Sequence, residues 1–250
     1  MLLLVGTVLH PMGADPSDAV AAFTEYAADH WWIASFLSQL AGIALMDAAL
    51  LILAQEVEAA RGKAWSYLVA GSAVASLAVA AALQAVDGIA LKAMVNAWTA
   101  APSAQKEMAF HAALAVRQIE VGFASMLCLL FGLTACLYGV ALFSIATYPR
   151  WMSGLAVIGG TLTMVAGVVI AYTGFSDITM AVNMPANFLL LVWMCGIGVV
   201  MWKREPSEQH GPVRPLPVET NDVGRQAVGF PPAPTVCQSY HPLGQLLGAA

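Results

Sequence analysis

Charged side chains are scarce in this sequence. Of its 250 residues, 10% are Asp, Glu, Lys or Arg against 60% hydrophobic ones, and the mean hydropathy is +0.75. Soluble domains carry about a quarter charged residues, so the solvent implied here is lipid. The ten basic residues form no cluster. That excludes a surface built to track a phosphate backbone, and nucleic acid is not an expected partner. Cysteine is as sparse: Cys128, Cys136 and Cys195 fall in apolar runs and Cys237 near the C-terminus. No disulfide framework is expected, and the fold must rest on helix packing. GxSxG, a phosphate-binding glycine loop, HExxH, HxxxH and CxxC are all missing. Those are the spacings that hydrolytic nucleophiles, nucleotide phosphates and metals require.

What is present is one apolar run after another. Residues 31–54, 64–86, 111–146, 151–174 and 184–202 each approach or exceed the roughly 20 residues that cross a bilayer core of about 30 Å. Before them stands MLLLVGTVL, residues 1–9, too short to span and lacking the basic start and small-residue cleavage site of a signal peptide. It reads as the outer half of a first helix whose beginning is missing. The expected fold is therefore an all-α transmembrane bundle of about six helices over residues 1–204, the first one partial.

Basic residues in short loops mark the cytoplasmic side, while acidic ones carry little weight. Residues 11–30 hold Asp15, Asp18, Glu25 and Asp29 and no basic residue, which places them outside. QEVEAARGK, with Arg61 and Lys63, is inside; YPRW, with Arg150, is inside; Lys203 and Arg204 close the last helix inside. The loop after residue 86 mixes Lys92 and Lys106 with Asp87 and Glu107, and only its neighbours put it outside. Trp31, Trp32, Tyr148, Trp151 and Trp202 stand at the expected span ends as an aromatic belt would. Asn183 and Pro185 read as a cap and a first-turn proline opening the last span. AGSAVASLAVAAALQA in the second full span and Gly154, Gly159, Gly160 and Gly167 in the fourth are small residues that let helices approach closely. Ordinary bundle packing or a homo-oligomer face both use them.

From residue 205 to 250 the character changes. Eight of the thirteen prolines lie there and no apolar face recurs, so this stretch is expected to be a disordered, Pro-rich cytoplasmic tail. PVRPLP within it has the form of a polyproline segment.

VRQIE, residues 116–120, is the anomaly inside an apolar helix. Ionisable groups within a membrane cost about 2.5–3.5 kcal/mol each on insertion scales and usually face the bundle interior. Measured from a helix end at His111, Arg117 lies roughly 9 Å in and Glu120 about 13 Å in, within touching distance as an i, i+3 pair. Gln118, Ala124, Ser125 and Cys128 are expected on the same side. Two readings stand: a structural clasp that locks this helix to its neighbours, or a polar pocket open to the outside. The ligand pocket would be lined by Arg117, Glu120, Asp87, His111, Gln118 and Lys92. Asp47, in LSQLAGIALMDAALLILAQ, is the other acid within a span and is a candidate proton relay or a neutral, hydrogen-bonded acid. His10, His30 and His111 share the outer rim with several carboxylates and are candidate ligands for zinc or copper. Bis-histidine haem lacks the facing histidines it needs within the spans.

The chain resembles uncharacterised bacterial multi-pass membrane proteins grouped as a domain of unknown function. The resemblance rests on LLLVGTVLHPMGADP, VRQIEVG, YPRWMSGLAVIGG and NMPANFLLLVW and covers residues 1 to about 204. It implies a small bundle of about six helices in the bacterial inner membrane and brings no known catalytic residues to carry over. The expected function is a non-enzymatic binding, sensing or partner subunit in the lipid bilayer. The alternative is a small-solute or proton-coupled transporter, and behind it a metal- or haem-binding membrane enzyme.

Overall fold

The computed structural model describes residues 2, 5, 6, 13–15 and 17–203, and the regular structure among them is all helical, with no strand. The expected tail at 205–250, PVRPLP and His10 lie outside the described residues. Leu2, Val5 and Gly6 of the N-terminal stretch are in helical conformation, and the Gly6 carbonyl accepts a 2.6 Å hydrogen bond from Ser35 Oγ. Glycine is needed there, because a Cβ would lie 2.5 Å from Ser38 Oγ and 2.7 Å from the Ser35 carbonyl.

The first complete helix, α1 (Ala19–Ala28), falls in what reads as an outer loop. Asp18 caps it by accepting from the amides of Val20 and Ala21, and the Glu25 carboxylate accepts from the amides of Gly13 and Ala14. The acidic residues that mark this segment as outside are therefore its local fasteners. Next, α2 (Trp32–Arg61) ends at Gly62, whose φ of 88° is the left-handed conformation that favours glycine. The chain turns at once into α3 (Lys63–Gln84), which runs through a π-helical segment (Ala85–Leu91) into α4 (Lys92–Ala100). Pro102 breaks this rod, and α5 (Lys106–Leu142) returns. After the turn at Pro149 come α6 (Arg150–Thr173) and, past Gly174, α7 (Asp177–Trp202).

Among the described residues five helical stretches are long and apolar enough to cross a membrane: Trp32–Arg61, Lys63–Ala100, Ser103–Leu142, Arg150–Thr173 and Asp177–Trp202. They fit a multi-pass integral membrane protein. Two boundaries differ instructively from the hydropathy reading. The second span does not stop at 86, because nothing in DGIALKAMVNAWTA breaks a helix before Pro102. The last span starts not at 184 but at Asp177, where Ser176 caps the amide of Thr179. Asn183 and Pro185 are thus inside α7, and the proline is tolerated as prolines are in membrane helices, at the loss of one backbone hydrogen bond.

Each long helix packs chiefly on the next, in the order α2, α3, α5, α6, α7. Between α5 and α6 the backbones touch. A Cβ on Gly132 would meet the Gly160 carbonyl at 2.5 Å, a Cβ on Gly160 would meet the Gly132 carbonyl at the same distance, and Ser125 Oγ donates to the Gly167 carbonyl at 2.9 Å. Gly154, by contrast, faces open space. At one end of the bundle, here the basic end, lie Arg61, Lys63, Arg150 and Lys203. Trp151 and Trp202 are exposed there as belt residues, but Tyr148 is buried and donates to Glu56 Oε2 at 2.8 Å. The opposite end is the cap end. Trp31 is exposed, whereas Trp32 is buried in an aromatic cluster with Phe23, Tyr26 and Phe36 that α1 folds down onto the rod and the start of α5.

Candidate functional site: a buried charge cluster under the cap helix

One turn of α5 places Arg117 and Glu120 on the same face, with Ala113 and Ala124 completing it. Both charged side chains are buried, at 7% and 5% exposure. Arg117 Nη1 lies 3.7 Å from Glu120 Oε2, too long for a hydrogen bond, and donates instead to the Tyr26 hydroxyl at 3.0 Å. Glu120 Oε2 is buried without a hydrogen-bond partner among the described residues. The guanidinium also stands over two rings, 5.5 Å from the centroid of Tyr26 and 5.4 Å from that of Phe175.

The third charge is Asp87, half-buried in the π-helical segment and close enough to act electrostatically on Glu120, Arg117 and Tyr26. The extra residue of a π turn re-aims the side chains that follow, and such turns are common at functional sites. Here the segment is anchored from both neighbours. Its Asp87 carbonyl accepts from Trp32 Nε1 at 3.3 Å, and Gly88 lets Phe36 close in, since a Cβ there would meet Phe36 Cβ at 2.7 Å. Burial pushes the Tyr26 phenol, which covers the cluster from α1, above its ordinary ionisation range.

The height of the cluster in the bundle is set by its neighbours rather than by α5. Ser125 meets Gly167, Gly132 meets Gly160 and Gly139 meets Ser153, so Arg117 comes level with Phe175 in the α6–α7 turn. Asp87 is level with Trp32 at the start of α2. Arg117 is about 16 Å along α5, counted from Lys106, yet α2, α6 and α7 already begin or end at this level. The pair therefore belongs to the rim of the five-helix bundle rather than to a depth of about 9–13 Å within it. The 63–100 rod and α5 project past it to form, with α1, the cap that closes over it.

The other sequence candidates lie elsewhere. Gln118 is exposed, about 100° round α5 from Arg117 on the side away from Glu120. His111 is exposed, 4.0 Å from Glu107 one turn back. Lys92 is turned into the C-terminus of α1, where Nζ donates to the carbonyls of Tyr26, Ala27 and Asp29, the last two at 3.1 and 2.8 Å. It neutralises the negative end of that helix and fastens the cap. His30 is exposed at the α1–α2 junction. Among the described residues no three His, Cys, Asp or Glu side chains converge as a metal ion would require. Tyr26 and Phe175 were not legible as site residues, since neither lies in an unusual pattern and both reach the cluster only through folding.

Asp47 is separate. It is buried in α2 and lines a narrow cleft of about 20 Å³ with Ser76 of α3 and Leu127 and Phe131 of α5, and no hydrogen bond or ion pair reaches it among the described residues. A few ångströms on, Ser76 Oγ and Thr134 Oγ1 are 3.0 Å apart, and Tyr138 donates to the Leu50 carbonyl at 2.6 Å.

No protein-family model matches this chain, and no curated protein or solved structure does either. What the protein does must therefore be read from the cluster itself.

Proposed function

We propose that this chain is a non-enzymatic binding or sensing protein of the bacterial inner membrane, with the Asp87, Arg117, Glu120 and Tyr26 cluster as its binding centre. Four basic residues gathered at one end support placing that end, with the C-terminus, in the cytoplasm and the cap end outside. The observation that carries the reading is Glu120. It is a buried carboxylate whose Oε2 accepts no hydrogen bond among the described residues, facing a guanidinium already engaged by Tyr26 and a second acid on the rod. A clasp that served packing alone would satisfy such an atom, because a buried acceptor left without a donor costs about 1–3 kcal/mol and more when it is charged.

Cysteine accessibility tests this. In vesicles, Glu120→Cys should react with a membrane-impermeant cationic thiosulfonate added from the cap side, and faster when Tyr26→Ala removes the cover. If the folded Glu120→Cys protein reacts from neither side, with or without Tyr26, only a dry clasp stands there, and the reading fails.

Transport is a second reading, favoured by Asp47, an acid with no hydrogen-bond partner among the described residues that lines a cleft midway along the bundle. It requires that the reconstituted protein collapse an imposed pH gradient, read by a trapped dye, and that Asp47→Asn abolish the flux at unchanged expression. No flux in the wild type would remove it.

A further inference from the structure

From the geometry of the rim cluster we infer that its ligand is a proton: Glu120 Oε2 holds one exchangeable hydrogen, taken from water on the cap side. The inference rests on reading the cluster as a binding centre. Among the described groups, Asp87 stands within electrostatic reach of the buried Arg117 and Glu120 pair, so full ionisation of these three leaves them one negative charge in excess. The geometry also says where a proton would sit. Arg117 Nη1 donates to the Tyr26 hydroxyl and stands 3.7 Å from Glu120 Oε2, beyond hydrogen-bond reach, so Oε2 has no donor among the described residues, and Glu120 as a whole is only 4% exposed. A hydrogen on Oε2 removes the surplus charge and the orphaned acceptor together.

The groups facing Glu120 limit the alternatives. From α1 comes Tyr26, from the π-helical segment Asp87 and from its own helix Arg117. Lys92 of α4 is spent on the α1 carbonyls, α2 contributes Trp32, and the titratable Tyr172 and Asp177 of the α6–α7 hairpin are not turned into the cluster, Tyr172 being 87% exposed and Asp177 exposed as well. The proton's path is short. A hydronium ion at the cap surface gives up one proton, a bond forms to Glu120 Oε2, and water is left. Leaving reverses it, and each exchange changes the net charge beneath α1 by one. Because Tyr26 and Arg117 join α1 to the cluster, the proton also biases how firmly the cap is held.

Infrared difference spectroscopy of the full chain in lipid vesicles reads this directly. As pH is raised across roughly 5 to 9, the range in which buried carboxyls are known to titrate, the wild type should lose a protonated-carboxyl C=O band equivalent to one group. Glu120→Gln should abolish that band. Asp87→Asn should move its midpoint down by about one pH unit or more, since a neighbouring negative charge no longer opposes ionisation of Glu120. Asp47→Asn should leave it in place. Should Glu120→Gln not fold, selective ¹³C labelling of glutamate carboxyls assigns the band by its isotope shift. A wild-type spectrum with no band assignable to Glu120 overturns the inference. So does a band that sodium displaces at constant pH while pH alone leaves it unchanged, because the ligand is then a metal cation. Either result leaves the accessibility test of the binding centre standing on its own readout.

Discussion

Replacing Arg117 with leucine should cost more than replacing Glu120 with leucine, and the double replacement should cost less than Arg117→Leu alone. Arg117 touches Tyr26 through a 3.0 Å hydrogen bond, Glu120 across 3.7 Å and the faces of Tyr26 and Phe175. Its removal leaves two carboxyls facing each other with no cation among the described residues. Breaking a buried pair in this way typically costs about 3–5 kcal/mol. Glu120→Leu, by contrast, leaves Arg117 with Asp87 as a counter-charge, so about 1–3 kcal/mol is expected. In the double variant only Asp87 remains, half-buried and able to take a proton, and the loss should fall back to within about 2 kcal/mol of the wild type. The coupling between the two sites is then favourable by at least about 2 kcal/mol, well above the scatter of additive pairs. The assay is reversible unfolding in mixed micelles followed by tryptophan fluorescence, with Trp32 and Trp98 reporting from the cap. Equal costs for the two single variants would refute the charge count, and additive costs would refute the direct interaction.

Three further outcomes follow from the same geometry. Gly132→Ala should destabilise by about 1–3 kcal/mol, since its Cβ meets the Gly160 carbonyl, a backbone atom that cannot swing aside, whereas Gly154→Ala should be neutral or slightly stabilising; thermal scans of both variants in one detergent compare them. Lys92→Met should loosen α1 without unfolding the bundle, seen as faster amide hydrogen exchange confined to residues 19–28 and their contacts. Because burial raises the Tyr26 phenol above its ordinary value, its contribution to the cap is complete below about pH 10 and declines as pH rises further, the unfolded phenol ionising first. Tyr26→Phe should flatten that alkaline decline in cap fluorescence while losing the bond to Arg117.

Much of this molecule is visible in local patterns. Five apolar stretches of spanning length, the basic residues at one end and the glycines of the α5–α6 contact all depend on composition or on spacing within one helix. Arg117 and Glu120 likewise pair because residues three apart share a helix face whatever surrounds them. Hydropathy is blind to where a helix ends once it leaves the membrane, which is why the second span reads as ending at 86 while its backbone continues to Ala100. It also cannot see that an acidic loop folds into α1, whose acids cap and staple it locally. Three features came from tertiary packing: Tyr26 accepting from Arg117, Lys92 serving α1, and the cluster standing at the bundle rim. Each joins elements far apart in sequence, and such contacts follow from how helices of different length pack side by side. Composition and helical spacing were enough to specify a membrane helix bundle with a charged pair on an inward face. It took the packing of α1 and the π-helical segment onto that face to bury the pair beneath Tyr26, with two acids to one guanidinium among the described residues.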